Sequence, residues 1–207
     1  MTEEDLKYFS GFLSEFQKET DRGAALVGAA LIDTRIDRIL RGHFVSKRIA
    51  DELLSGGNAP IGTFSARMKL AYSLGLITRL EFHECDLIRK IRNEFAHEVH
   101  GLSFQTQKIS DLAARLQANT PDRKRFDGNS RQLFINSVIL LSMSLWYRPE
   151  YAIKFRATER SWSYQLAPDS PPKEEAEQGG TGQPATRPES KSEGSDKPQP
   201  EAEGRSR

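Results

Sequence analysis

The chain has 207 residues, 37% of them hydrophobic and 29% charged, with 30 Lys and Arg against 29 Asp and Glu. That balance excludes a dense basic footprint as the organising feature, and the single cysteine, Cys85, excludes an intrachain disulfide or a Cys-rich zinc site. No apolar run reaches the roughly 18 residues that a membrane span needs, and no secretory pattern precedes the first amphipathic segment, so the expectation is a cytoplasmic protein with no membrane partner.

Composition divides the chain. From Pro168 to Arg207 there are seven prolines among Gly, Ser, Glu and Lys, with no Leu, Ile, Val or aromatic residue. Such a segment cannot bury enough apolar surface to offset its ordering entropy. The expected organisation is a helical domain over residues 1–166 and a disordered tail over 167–207. Six Lys/Arg and nine Asp/Glu fall in the last forty positions, leaving 24 and 20 on residues 1–167, a modest +4.

Within the domain the periodicity is helical throughout. Thr2 followed by acidic residues reads as a helix start, and Leu6, Phe9, Leu13 and Phe16 recur at three- and four-residue steps. A second helix is predicted from Asp21 to Leu40. Its apolar face is read as Leu26, Val27, Ala30, Leu31 and Thr34, with Asp33, Arg35, Asp37 and Arg38 on the remainder and Gly28 among several small residues that permit close packing. A short helix over Ser46 to Leu54 runs into the breaker sequence Ser55-Gly56-Gly57-Asn58-Ala59-Pro60. Thr63 then caps a helix from Phe64 to Leu74, which Gly75 stops in a left-handed conformation.

Thr78 and Glu81 have capping-box spacing and open a long helix, lined by Leu80, Leu87, Ile88, Ile91 and Phe95, that ends between His97 and Gly101. Two further helices are expected at Thr106 to Gln117 and Ser130 to Tyr147, separated by the polar turn Asn119-Thr120-Pro121-Asp122. The last is apolar nearly all round and reads as a central helix or one shared with a subunit partner. No alternating run is bounded well enough to be a strand, so the fold class is an all-α multi-helix bundle.

Few residues carry chemistry. Arg92-Asn93-Glu94-Phe95-Ala96-His97 sets polar side chains beside a core stripe: an imidazole that titrates near neutrality can move a proton while a guanidinium steadies a phosphate. The same side chains also suit a helix end, where His97 bonds a free carbonyl and favours the dipole. Residues five apart point about 140° away from each other on a helix of about 3.6 residues per turn. Arg92 and His97 therefore meet only if the helix unwinds, if Arg92 reaches around, or if a second subunit contributes. His43, His83 and His100 have no carboxylate or cysteine at metal-ligand spacing. Ser142 and Ser144 lack a nucleophile elbow, Arg123-Lys124-Arg125 reads as a solvated corner, and nothing calls for a cofactor. Trp146, Tyr147, Tyr151, Phe155, Trp162 and Tyr164 are expected to fold back onto the bundle or cover a dimer seam.

From Ala59 through Arg67 to Ile77, and on through Phe82, Asp86, Leu87, Arg92 and His97, the chain resembles the mannitol-operon repressor family, MtlR. The resemblance covers roughly residues 20–115. It implies an all-helical, dimeric bacterial transcriptional regulator without a helix-turn-helix, acting through a protein partner or an atypical DNA-binding surface. The hexad also resembles the Arg-x4-His motif of HEPN domains, in which paired bundles cut RNA without metal. That shorter likeness implies Arg92 stabilising the transition-state phosphate, His97 acting as acid or base on the ribose hydroxyl, and Asn93 orienting both. Related toxins carry a modified Tyr two positions after the histidine, where this chain has Val99.

Overall fold

The computed structural model describes residues 2–98, 101–117, 126 and 128–161. In chain order the helices are α1 (Glu3–Lys18), α2 (Asp21–His43), α3 (Lys47–Leu54), α4 (Phe64–Ser73), α5 (Arg79–His97), α6 (Gln107–Ala114), α7 (Ser130–Ser144) and α8 (Arg148–Lys154). All regular structure among the described residues is helical, and the fold is an all-α multi-helix bundle. No helix among them is long and apolar enough to cross a membrane.

Local chemistry sets the helix boundaries. Thr2 with Asp5, and Thr78 with Glu81, form reciprocal capping boxes at the starts of α1 and α5, while Thr20, Ser46, Thr63 and Asn129 cap α2, α3, α4 and α7 through their side-chain oxygens. Gly75 ends the turn after α4 at φ 69°, a conformation that costs a residue with a Cβ.

The 23-residue α2 is the axis of the bundle and packs against α5, α8, α4 and α7. The burial corrects two expectations. The core-facing side of α2 is Ala25, Gly28, Ala29, Ile32, Ile36 and Ile39, whereas Val27 and Ala30, read from the sequence as part of that face, are exposed. The central place expected of the last long helix belongs to α2, because its small residues admit neighbours on several sides. A Cβ on Gly28 would lie 3.1 Å from Phe16 Cζ, 3.1 Å from Val138 Cγ2 and 3.2 Å from Phe134 Cε1. Three helices thus converge on one missing methyl.

The apolar α7 buries Phe134, Ile135, Val138 and Leu141 against the bundle, and Met143 stays 46% exposed. It stops at Ser144, three residues short of the expected end, and Pro149 in the first turn of α8 starts a new helix. Proline is tolerated there because the first-turn amides have no intrahelical acceptor. Of the aromatic exit, Trp146 packs edge-on to Phe9 with centroids 5.6 Å apart, and the Tyr147 hydroxyl donates to Asp5 Oδ2 at 2.8 Å. Tyr151 and Phe155 are exposed. Trp162 and Tyr164 lie outside the described residues, as do the turn at 119–122, the basic triplet 123–125 and His100.

Cys85 is fully buried, and burial, reinforced by Glu81 and Glu84 nearby, pushes its thiol far above the usual range. Only thiolate attacks a disulfide reagent. The native protein is therefore expected to release no colour from Ellman's reagent until denaturant is added; rapid reaction without denaturant would show that this part of the core opens freely.

Candidate functional site

The site grows out of how α4 is held against α2. Asp33, Asp37 and Arg41 lie at four-residue steps on one face of α2. Arg67 of α4 donates through Nη1 to both Asp33 oxygens at 2.9 and 2.8 Å, and through Nη2 to the Leu54 carbonyl at 2.8 Å. Its Nε lies 3.5 Å from Asp37 Oδ1. Asp37 accepts from Arg41 Nε at 2.6 Å, and Arg41 also reaches Asp51 and Ser55. This chain of charges joins α2, the end of α3 and α4, and fixes where α4 begins.

That placement opens a cleft of about 420 Å³ between the start of α4 and the facing sides of α2 and α5. Asp33 lies on one wall, Thr63 and Ser65 at the first turn of α4, and Arg89, Arg92 and Asn93 on the α5 wall. Arg89, Arg92 and Asn93 share a helix face by their three- and four-residue spacing. Thr63 Oγ1 accepts from the Ala66 amide at 3.2 Å, which leaves the Phe64 and Ser65 amides with no acceptor inside the helix.

The charges in the cleft are unequally engaged. Arg89 Nη2 donates to Asp86 Oδ1 at 2.7 Å, Lys90 pairs with the other Asp86 oxygen at 2.7 Å, and Arg89 Nε is buried without a hydrogen-bond partner. Burial acts to raise the Asp86 carboxyl, but the Lys90 and Arg89 hydrogen bonds outweigh it and hold the group below its ordinary range. The exposed Arg92 donates to Asn93 Oδ1 at 3.1 Å and makes no ion pair among the described residues. Burial raises the Asp33 carboxyl above its ordinary range against the opposing pull of Arg67, with Arg92 adding a weaker pull in the same direction.

Arg92 and Asn93 therefore come together, and His97 does not join them. It lies in the last turn of α5, exposed, outside the cleft. The helix runs unbroken from Arg79 to His97, so local unwinding does not bring Arg92 and His97 together in one chain. The sequence reading missed Arg89 and Asp33 as cleft residues. Asp33 was placed on a polar helix face, which is correct locally, but nothing in the sequence says which polar face meets the start of another helix.

These features define an all-helical domain with a cleft that presents guanidinium groups beside a carboxylate. The family model described as MtlR, mannitol repressor, matches residues 18–154, and the chain belongs to that family. The mannitol operon repressors of two Escherichia coli strains are each 32% identical to it over 72 residues, 35% of this chain. The match spans 37% of the length of those curated relatives. A chain in the X-ray structure of the MtlR–HPr complex from Escherichia coli is similar with a TM-score of 0.47 and 21% identity, covering 68% of this chain and 95% of that one.

Proposed function

We propose that this protein is a transcriptional regulator of the mannitol-repressor type, acting as a helical dimer through a protein partner or an atypical DNA-binding surface. The observation that carries the reading is the family match from residue 18 to residue 154, which runs from the end of α1 through α8. In this proposal residues 1–166 form the regulatory domain and 167–207 a tail that is dispensable for its basal action.

The test is a reporter placed behind the mannitol-operon control region of the source cell, read with and without this gene. Loss of repression on deletion, restored by residues 1–166 alone, is the expected result. Reporter output indifferent to the gene would sink the reading. The partner arm titrates purified HPr, and the DNA arm uses the control region itself, so that the two routes separate.

One observation favours a second reading. Arg92 and His97 are both exposed on α5, so neither side chain is closed to a second copy of the chain, which a metal-independent ribonuclease of the HEPN type would require. Single-stranded RNA incubated in chelator with the wild type and with His97→Ala discriminates. Cleavage by the wild type alone, lost by at least the roughly 10²-fold that removal of an acid–base group costs, would establish the nuclease; equal, absent cleavage in both would leave the hexad a structural and binding element.

A further inference from the structure

We propose that the cleft between α2, α4 and α5 is an effector site for a small hydroxylated phosphomonoester, of the sugar-phosphate class. The inference deepens the regulator reading and rests on it for its purpose, although not for its test.

The guanidiniums carry the argument. Arg92 is exposed on the cleft wall without an ion pair among the described residues, and its bond to Asn93 occupies only one of its five donors. Arg89 one turn earlier keeps a buried Nε that no protein acceptor satisfies. That nitrogen is closed to the cleft, but the Arg89 side chain is 24% exposed and lines the cleft with Arg92, so an anion held by the free donors of Arg92 would also meet the Arg89 charge. Guanidinium forks suit a tetrahedral oxyanion better than any other protein group. The Phe64 and Ser65 amides and the Ser65 hydroxyl stand across the same cleft and add donors where the helix dipole favours negative charge.

The remaining wall selects what the phosphate is attached to. Asp33 uses two acceptor positions on Arg67, and a carboxylate offers about four, so it can accept from hydroxyl groups. Asn93 and Thr63 add polar edges, and the side chains of Leu26 and Phe64 give carbon surface. A nucleic-acid backbone fits less well, because its next phosphate would approach the Asp33 carboxylate. The volume of about 420 Å³ also falls in the range of about 300–1,000 Å³ usual for small-molecule sites rather than extended grooves.

The test is isothermal titration calorimetry on the full chain with three probes: an acyclic hexitol monophosphate, the same hexitol without phosphate, and inorganic phosphate. The expected result is one hexitol phosphate per chain, displaced by inorganic phosphate and bound on the order of tenfold or more tighter than the plain hexitol. Arg92→Gln should weaken it on the order of tenfold or more. Ser65→Asp should abolish it while leaving the thermal midpoint unchanged or higher, since a carboxylate in the first turn of α4 suits the helix dipole. Lys69→Gln, which removes an exposed cation on α4 outside the cleft, should change nothing. The proposal is overturned if neither phosphate-bearing probe binds, if Arg92→Gln or a folded Ser65→Asp binds normally, if Lys69→Gln weakens binding equally, or if a short RNA binds through Arg92 and the hexitol phosphate does not. Because the measurement needs no promoter, a reporter indifferent to the gene, with binding intact, would overturn the regulator reading alone.

Discussion

Replacing Phe134 with alanine is expected to lower the unfolding free energy by about 3–5 kcal/mol. Phe134 is fully buried. Its ring lies 5.2 Å from that of Phe104, which in turn lies 5.3 Å from Phe95 of α5. The same ring faces the bare Cα of Gly28 on α2. Truncation would empty the point where α2, α5, α7 and the turn before α6 meet, and those helices cannot collapse inward without separating from each other. The surrounding charges give no compensation, since the Phe104 amide is already fixed on Asp21 Oδ2 at 2.9 Å. Urea unfolding followed by circular dichroism reads the effect; a loss below about 1 kcal/mol would mean that the site relaxes and that the aromatic chain is not a structural keystone. The reciprocal change, Gly28→Ala, should also destabilise, by about 1–3 kcal/mol, through overpacking against the same ring.

The helices were legible in the sequence because capping chemistry and apolar spacing are local. Thr78 and Glu81 announce the start of α5 without reference to any neighbour, and Gly75 announces the stop after α4. What was not legible is orientation. On α2 nearly every face has apolar or small residues, so Leu26, Val27 and Ala30 were as good a stripe as Ile32, Ile36 and Ile39 until the partners of the helix were known. Arg35 shows the same limit: read as surface decoration, it is buried, with its guanidinium 3.9 Å from the Trp146 ring centroid. The split into α7 and α8 was hidden because Pro149 can end one helix or open another.

The candidate site was legible by half. Arg92 and Asn93 stood out as polar residues beside a core stripe, and they do share a cleft. His97 stood out with them for its chemistry, and it shares the Asn93 face at four-residue spacing, yet it lies in the last turn of α5, beyond the residues that line the cleft. Arg89 and Asp33 carry no signal of their own, because an Arg three residues after an Asp, or an Asp on an exposed helix face, is ordinary surface chemistry. They acquire meaning only when Arg67, thirty-four residues from Asp33, draws α4 against α2.

Glu81 is where the sequence signal and the tertiary structure coincide, and its removal should be comparable in cost to the loss of Phe134. Its carboxylate accepts from the Thr78 amide at 2.7 Å, from Ser144 Oγ at 2.7 Å and from Arg148 Nη2 at 2.9 Å. Arg148 also donates to the Leu76 carbonyl at 3.0 Å. One side chain therefore caps α5 and ties it to the end of α7 and the start of α8. Glu81→Ala breaks all three bonds and leaves Arg148 facing a buried gap, for an expected loss of about 3 kcal/mol, at the low end for a buried ion pair because Arg148 is partly solvated. Glu81→Gln offers one acceptor oxygen in place of two, so it removes the charge and turns an NH2 group toward either Arg148 or the Thr78 amide, and because it fills the same space it should cost less than Glu81→Ala.

The pH dependence separates the charge from the packing. Burial acts to raise the Glu81 carboxyl, but the Thr78 amide, Ser144 and Arg148 together hold it below the ordinary 4.5. A lowered folded value means that the unfolded chain takes up the proton first, so the stabilisation is complete above that ordinary value and is lost as the pH falls through the folded one. Asp33 works in the opposite direction: its raised carboxyl is protonated first in the folded chain, so acid relieves a cost that is present at neutral pH. The stability gap between wild type and Glu81→Gln is thus expected to be widest near neutrality and to close as the pH drops below 4.5, while Asp33 stays common to both proteins and cancels. Parallel stability curves across that acid range would show that the Arg148 contact acts by shape and not by charge.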